Sequence, residues 1–161
     1  MMMLRPALAV LLALASGAAA LGQQQGRQPG QQLPSAWITD PQSGCCTWNA
    51  APRLDESVTW EGPCVDGYVH GKGVLRWFKQ GVLTEIDDGE FRNGKLEGHA
   101  VLTNGPTFKF EGEFRGHLPN GPGTMHDSDG QIYSGQWING CFNEGGRRRA
   151  FGVGASCDFQ S

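Results

Sequence analysis

Apolar and polar residues alternate in short runs along most of the chain. In the run YSGQWING, Tyr133, Gly135 and Trp137 occupy every second position, so they lie on one face of an extended strand. Runs of this kind predict β-strands that bury one face. Three earlier segments repeat the arrangement: WEGPCVDG from Trp60, DDGEFRNG from Asp87 and FEGEFRGH from Phe110.

A second glycine-bearing run follows each of the first three segments. These runs are GKGVLRW, GHAVLT and GPGTMHD, which start at Gly71, Gly98 and Gly121. Two alternating runs joined by a turn rich in glycine and asparagine form a β-hairpin. The sequence therefore predicts an all-β domain over residues 58–161, an antiparallel meander of about four tandem hairpins.

The third-position glycines of the four segments are regularly spaced. Gly62, Gly89, Gly112 and Gly135 are separated by 27, 23 and 23 residues, and a fixed period of this size indicates internal repeats. The pattern YxGxW, a glycine three residues later, then GxG and a short apolar strand resembles the MORN (membrane occupation and recognition nexus) repeat over about residues 58–150. The resemblance implies a curved, single-layer array of antiparallel hairpins, here in a MORN protein of an exported bacterial type.

The copies depart from the repeat pattern at a few positions. Cys64 replaces the second aromatic residue of the first copy, and Asp87 replaces the first aromatic residue of the second. His117 occupies the turn position that glycine holds in the other copies. The fourth copy has NEGGRRRAFGVG where a GxG strand is expected, which predicts a capping structure at that end.

The glycine-bearing face of the strands carries most of the aromatic residues. A glycine within a strand leaves room for a neighbouring ring or apolar side chain, so we expect these rings to pack into one continuous layer. Because a single-layer sheet cannot bury both faces, the same layer is a candidate binding groove. Its residues are Trp60, Trp77, Phe91, Phe110, Phe114, Tyr133 and Trp137.

The opposite face of the same strands carries acidic residues. Glu61, Asp88 and Glu111 fall in one column, with Glu90 and Glu113 beside it. First strands are separated by a second strand, so these carboxylates should lie ~10 Å apart across the sheet. We interpret them as a solvated face that keeps the sheet soluble; the alternatives are a stripe for a cationic partner or a weakly bound Ca²⁺.

The N-terminal region divides into three segments. Residues 1–20 hold Arg5, an apolar run and an AxA arrangement ending at Ala20, the pattern of a cleaved signal peptide. Residues 21–44 are rich in Gln, Gly and Pro and predict a flexible, disordered leader. Residues 45–57 predict an irregular lead-in that is pinned by a disulfide.

All five cysteines follow the signal segment. Export permits disulfides, and the spacing predicts that Cys64 pairs with Cys45 or Cys46 and that Cys141 pairs with Cys157. Five is an odd number, so at least one cysteine is unpaired. The spacing does not match a zinc site, so no metal site is predicted.

The charge and the motifs restrict the function. Without residues 1–20 the chain has 12 Lys and Arg against 16 Asp and Glu, which lacks the basic footprint of a nucleic-acid-binding protein. The HDSDGQ stretch favours a turn over a calcium loop. No nucleophile–base, metalloprotease or phosphate-binding motif occurs, so no catalytic residue and no cofactor is predicted.

These observations favour an exported, non-catalytic binding or scaffold protein of the periplasm or the extracellular space. The expected partner is another protein or a second copy of the chain; the sequence identifies no small-molecule ligand. A first alternative is a membrane-surface adaptor that uses the basic run Arg147, Arg148 and Arg149. A second is a hydrolase of extracellular polymers that uses Asp88, Glu90, Glu111 or Glu113.

Overall fold

The computed structural model describes residues 36–152 and 154–159, and within these ranges the chain forms thirteen β-strands and no helix. The strands are β1 (Ala36–Thr39), β2 (Cys46–Asn49), β3 (Glu56–Glu61), β4 (Cys64–Val65), β5 (Tyr68–Val69), β6 (Gly71–Lys79), β7 (Val82–Arg92), β8 (Lys95–Asn104), β9 (Phe108–Arg115), β10 (Leu118–His126), β11 (Ile132–Ile138), β12 (Cys141–Glu144) and β13 (Arg147–Ala150).

Nine strands form one open antiparallel sheet. Their order is β13-β12-β11-β10-β9-β8-β7-β6-β3, so consecutive strands from β6 to β13 pair with one another, and β6 also pairs with β3. The remaining strands form a small sheet with the order β1-β2-β5-β4. The predicted all-β meander of tandem hairpins is confirmed.

Tight turns with residues in the left-handed conformation connect the two strands of a hairpin. Asn93 and Gly94 have φ angles of 49° and 80°, and Asn139 and Gly140 have φ angles of 49° and 79°. Two consecutive positive φ angles give the two-residue turn whose twist matches that of paired strands. His117, with φ 76°, adopts the left-handed conformation that its place in the repeat predicted.

A row of glycines crosses the large sheet at the level of the repeat motif. Cross-strand pairing joins Gly73 to Gly89, then to Ala100, Gly112, Gly123 and Gly135 in turn. These positions all point to the same face of the sheet. We call it the inner face, and we call the opposite face the outer face.

Aromatic rings lie over several of these glycines. A Cβ atom built on Gly123 would lie 2.6 Å from the ring of Phe110, and one built on Gly73 would overlap the ring of Trp60. The expectation that rings pack into the gaps left by glycine is confirmed at these two positions. It is wrong at Gly135, where the carboxylate of Glu144 fills the space.

Glu144 reaches this position because the fourth copy lacks a full second strand. β12 pairs with β11 at only two positions and then turns back through Gly145 and Gly146 to pair with β13. The Glu144 Oε1 atom accepts a hydrogen bond of 2.8 Å from the backbone N–H of Gln136. The predicted capping structure is therefore a short hairpin, in which the Glu144 carboxylate takes the place that an aromatic ring occupies in other repeats.

The hairpin turns are hydrogen-bonded to one another along one end of the sheet. In each case a turn N–H donates to a buried residue of the preceding repeat. The bonds join Gly94 to Val69 (3.0 Å), His117 to Leu96 (3.0 Å) and Gly140 to Pro119 (2.8 Å). Each repeat thus fixes the position of the next, as expected when repeats contact mainly their neighbours.

Described segments that flank the repeats on both sides cover the inner face. From the C-terminal side, Phe151 packs against Phe108, Phe110 and Phe114 with ring centroids 5.2–6.2 Å apart. From the N-terminal side, Ile38 packs against the core and Cys45 is fully buried within it. A single-layer sheet acquires a closed core in this way.

The predicted C-terminal boundary of the flexible leader, residues 21–44, is wrong because an ordered strand begins before it. Residues Ala36–Thr39 form β1, which pairs with β2 inside the predicted irregular lead-in. Buried Asp40 accepts hydrogen bonds from the backbone N–H groups of Gln42, Ser43 and Trp60. These bonds and the packing of Ile38 order a segment whose composition alone favoured disorder. The signal segment and the first part of the leader lie outside the described residues and stay predictions.

Both predicted disulfides are present, and the choice between adjacent cysteines is resolved. Cys45 pairs with Cys64, Cys141 pairs with Cys157, and Cys46 is free. Adjacent residues of an extended segment point in opposite directions; Cys45 points into the core, whereas the Sγ atom of Cys46 lies 3.3 Å from the Thr39 hydroxyl.

Mass spectrometry of the unreduced native protein should find these two disulfides, an alkylatable thiol at Cys46 and a mature N-terminus at Leu21. Alkylation before digestion, followed by fragmentation, separates Cys46 from its neighbour. A Cys46–Cys64 pairing, or five free thiols, would contradict the arrangement of the N-terminal sheet.

Candidate binding pocket on the inner face

Most of the aromatic residues predicted to form a groove are core residues. Trp60, Phe91, Phe110, Phe114 and Trp137 are each at most 6% exposed and pack edge-to-face, for example at 4.9 Å between Trp60 and Phe91. The flanking segments cover this layer, so these five rings offer no surface to a ligand. Only Trp77 and Tyr133 of the predicted set are half-buried.

Intramolecular contacts surround Tyr133. The guanidinium groups of Arg147 and Arg149 lie 4.5 and 5.7 Å from the centre of its ring. Arg147 also donates to the carbonyl of Ile132, and Arg149 forms an ion pair with buried Asp127 at 3.3 Å. Tyr133 is therefore part of the cap at the C-terminal end of the sheet.

The HDSDGQ stretch forms a turn, as its residues predicted. The Asp127 carboxylate accepts hydrogen bonds from the backbone N–H groups of Asp129 and Gln131, at 3.0 and 2.9 Å. These bonds hold the connection between β10 and β11.

The five predicted acidic residues lie on the outer face. Glu61 pairs with Arg76 at 3.0 Å, and Glu111 pairs with Lys109 at 2.8 Å. The hydrogen bond and charge of Lys109 lower the pKa of Glu111.

Of the remaining three, Asp88 and Glu90 are exposed on β7, whereas Glu113 lines an open depression of about 540 Å³ on the outer face. Glu111 lines the same depression, together with Lys109 and two histidines. The five carboxylates thus do not converge on one site.

A separate pocket of about 420 Å³ opens on the inner face. The sheet forms its floor, and its walls come from the N-terminal and C-terminal segments, the β9–β10 turn with the start of β10, and the β10–β11 connection. The floor residues are Glu56, Trp77, Thr84, Glu85, Leu102, Asn104 and Phe108, and the wall residues are Trp48, Asn49, Ala50, His117, Leu118, Ser128, Phe151, Gly152 and Gly154.

Backbone hydrogen bonds hold the N-terminal and C-terminal walls. The N–H of Trp48 donates to the carbonyl of Gly94, and the N–H of Phe151 donates to the carbonyl of Gly140, both at 2.8 Å. The walls approach each other at Gly154, where an added Cβ atom would lie 3.9 Å from the side chain of Ala50 and 4.0 Å from the ring of Trp48. The N-terminal and C-terminal segments therefore meet above the sheet.

A buried carboxyl group lies beneath the pocket. Asp87 belongs to a cross-strand row that is otherwise apolar, running from Trp60 to Tyr133 through Leu75, Leu102, Phe110 and Met125. It is fully buried; Oδ2 accepts a 3.0 Å hydrogen bond from the indole N–H of Trp77, and Oδ1 has no partner. Burial, with a smaller contribution from Glu85, raises the pKa of Asp87 well above its usual value.

Two further carboxyl groups line the pocket itself. Glu85 accepts a 2.8 Å hydrogen bond from the Asn104 amide. Burial raises the pKa of Glu85; the Asn104 bond opposes this effect and the charge of Glu56 adds to it. Glu56 accepts hydrogen bonds from the Asn49 amide and the backbone N–H of Arg53, at 3.1 and 3.0 Å.

The pocket histidine adds no charge at neutral pH. Burial and the nearby ammonium of Lys95 lower the pKa of His117 to about 4. Its ring lies edge-to-face against Trp48, with centroids 5.5 Å apart. His117 thus contributes an uncharged surface to the wall.

The acidic residues that the sequence placed in one column, Glu61, Asp88 and Glu111, lie on the face opposite this pocket. Two features of the sequence indicated the pocket: Trp77 of the predicted aromatic set, and Asp87, which stands where the repeat pattern requires an aromatic residue, with Glu85 two positions earlier on the same face. Glu56 precedes the first repeat, so no periodicity marked it. No group of three His, Cys, Asp or Glu residues that could hold a metal ion occurs in the part of the chain that the structure describes.

An open sheet of successive antiparallel hairpins, ordered by a repeated glycine pattern, defines a hairpin-repeat protein. The MORN repeat family model matches residues 65–82, 88–105 and 110–132. The chain therefore contains three consecutive MORN repeats, and its fourth hairpin, from Tyr133, lies outside the matched segments. No curated protein matches the chain.

MORN repeats in general mediate contacts with proteins or membranes and are not catalytic. The two disulfides are typical of an oxidising compartment. Within residues 36–152 and 154–159 there is no helix long and apolar enough to cross a bilayer.

Proposed function

We propose that this MORN-repeat chain is an exported, non-catalytic binding protein that associates with another protein through its inner-face pocket. The observation that carries the proposal is the pocket itself, an open space of about 420 Å³ with tryptophan in both its floor and its wall. This volume is within the usual range of binding cavities. Tryptophan is also among the residues that contribute most to protein–protein affinity.

The completeness of the core supports a binding role. The glycine row and its rings, together with Phe151, close the apolar layer without any ligand. No ligand in the pocket is therefore needed to complete the core. The half-buried side chains of Trp48 and Trp77 stay accessible to a partner.

Export to the periplasm or the extracellular space fits the disulfides. Cys45–Cys64 fastens the N-terminal sheet, and Cys141–Cys157 fastens the segment that forms the C-terminal wall. The N-terminal and C-terminal walls of the pocket thus depend on disulfides that an oxidising compartment maintains.

A membrane-surface role is less well supported than a protein partner. The basic run that would contact lipid headgroups is already engaged: Arg147 bonds to Ile132, Arg148 bonds to the carbonyl of Phe159, and Arg149 pairs with Asp127. Freeing these cations for a lipid surface would break contacts within the protein.

Photo-crosslinking tests the protein partner. With p-benzoylphenylalanine in place of Ser128 in the pocket wall, the exported protein should form a discrete protein adduct in its native compartment. The same probe in place of Ser134, on the outer face, is the control. An adduct of twice the chain mass would identify a second copy as the partner.

A Thr84→Phe change should fill the pocket floor and abolish the adduct while circular dichroism still reports a β-sheet. An adduct that survives this change, or one that forms equally from Ser134, would contradict binding through the pocket.

A further inference from the structure

We propose that the inner-face pocket receives a cationic side chain, lysine or arginine, of the partner protein. This inference rests on the proposed function, since it assigns a chemistry to the same pocket. It follows from the charges of the pocket, the buried carboxyl group beneath it and the character of its walls.

The pocket contains two carboxylates, Glu56 and Glu85, that form no ion pair with any cation in residues 36–152 and 154–159. Ion pairs join Glu61 to Arg76, Glu111 to Lys109 and Asp127 to Arg149. None of them includes Glu56 or Glu85. Lys79 is the cross-strand neighbour of Glu56 but is exposed and forms no ion pair with it.

Asp87 gives an independent indication. It lies two residues from Glu85 on the same face and pairs across the strands with Leu102, which lines the floor. Its Oδ1 atom is buried and has no hydrogen-bond partner, and a buried polar atom without a partner is costly. A positive charge in the pocket above would lower the cost of an ionised Asp87, because opposite charges interact strongly where water is excluded.

The pocket walls suit the rest of a cationic side chain. Trp48 and Trp77 present aromatic surfaces, which attract cations through the ring face, and Leu102 and Phe108 can contact the aliphatic stem. The protein itself makes such a contact, because the Lys95 ammonium lies 4.8 Å from the centre of the Trp48 ring.

A neutral or anionic ligand would fit less well. A neutral ligand would displace water from the Glu56 and Glu85 carboxylates without supplying a charge, and unpaired buried charges are strongly disfavoured. An anion would be repelled by both. A cation replaces the lost hydration with direct attraction, as in complementary interfaces.

The experiment titrates the full disulfide-bonded chain with three peptides, acetyl-Gly-Gly-X-Gly-Gly-amide with lysine, arginine or norleucine at X. Indole N–H signals in nuclear magnetic resonance spectra report the environments of Trp48 and Trp77. We expect saturable shifts of these two signals with the lysine peptide, the arginine peptide or both. The norleucine peptide has nearly the same shape as lysine without its charge, and it should produce no shift at equal concentration.

Two matched double variants separate the pocket from general electrostatics. Glu56→Gln with Glu85→Gln should weaken binding about tenfold, which corresponds to about 1.4 kcal/mol. Glu90→Gln with Glu113→Gln removes the same charge from the outer face and should leave the affinity within about twofold.

Equal binding of the norleucine peptide, equal loss in both double variants, or no shift with either cationic peptide would overturn the inference. These outcomes are distinct from failure of the proposed function. A Ser128 adduct that Thr84→Phe abolishes would still support a partner in the pocket, with a chemistry other than a cation.

Discussion

Replacing Gly112 with alanine should lower the free energy of unfolding by about 3 kcal/mol, at the upper end of the usual effect of overpacking a core. An added Cβ atom would lie 2.5 Å from the Cα atom of Gly123 and 2.6 Å from the carbonyl oxygen of Pro122. Both are backbone atoms of the neighbouring strand, so no side chain can rotate away to make room. Urea denaturation with the disulfides intact measures the change.

Gly105→Ala is the matched control for this prediction. Gly105 has φ +61° and nothing within 4 Å of an added Cβ atom. Alanine at this position would have to adopt the left-handed backbone conformation, which lowers the free energy of unfolding by about 1 kcal/mol. Equal losses at the two positions would show that the gaps of the glycine row do not limit the packing of the sheet.

Asp87→Asn should stabilise the protein at pH 8 by about 2 kcal/mol, the size of the desolvation penalty of one buried polar group. Asparagine keeps the acceptor for the Trp77 indole and removes the charge. Because burial raises the pKa of Asp87, the folded state holds this proton more tightly than the unfolded state does. The stability of the wild type therefore falls as the pH rises from about 4 through the raised pKa, and the advantage of the variant grows over the same range.

Urea denaturation of both proteins between pH 4 and pH 8 measures this difference. His117 acts in the opposite direction: its lowered pKa of about 4 favours the fold above the usual histidine pKa and stops doing so as the pH falls to 4. Comparing variant with wild type at each pH removes this common contribution.

Asp88→Asn, at an exposed position of the outer face, is the control and should change stability by less than about 0.5 kcal/mol at every pH. A constant offset between Asp87→Asn and wild type, independent of pH, would show that burial does not raise the pKa of Asp87.

The repeated part of the fold could be predicted because every repeat encodes the same local choices. Alternation sets the faces of β6 to β11, and left-handed turn residues such as Asn93 and Gly94 set the hairpins. The period-two pattern also assigns Glu61 and Glu111 correctly to the face opposite the rings. These features depend on neighbours that are close in sequence or one period away.

The non-repeated ends could not be predicted in the same way. β1 is ordered by its pairing with β2 and by the Asp40 bond to Trp60, and Phe151 is ordered by rings on other strands. Nothing in their local composition marks these long-range contacts. The Glu144 side chain at Gly135 is a similar case, because its position follows from where β12 turns back.

The position of the pocket could not be predicted for the same reason. Periodicity shows which residues share a face, but it does not show which part of that face the flanking segments leave open. The rings near Phe110 are covered by Phe151, whereas Trp77 and Glu85 border the space between the N-terminal and C-terminal walls. Asp87 indicated the pocket from the sequence, because it is a polar residue at a repeat position that is otherwise apolar.

The N-terminal and C-terminal segments meet near Gly154, so the size of the pocket depends on the number of repeats. One extra repeat adds two strands, about 10 Å across the sheet, and would draw the segment at Ala50 away from Gly154. Copy number, which changes by duplication in a single genetic step, would thereby enlarge the cavity while the glycine row and the turns of every repeat stayed the same. The size of the pocket could thus change without a change in the sequence of any one hairpin.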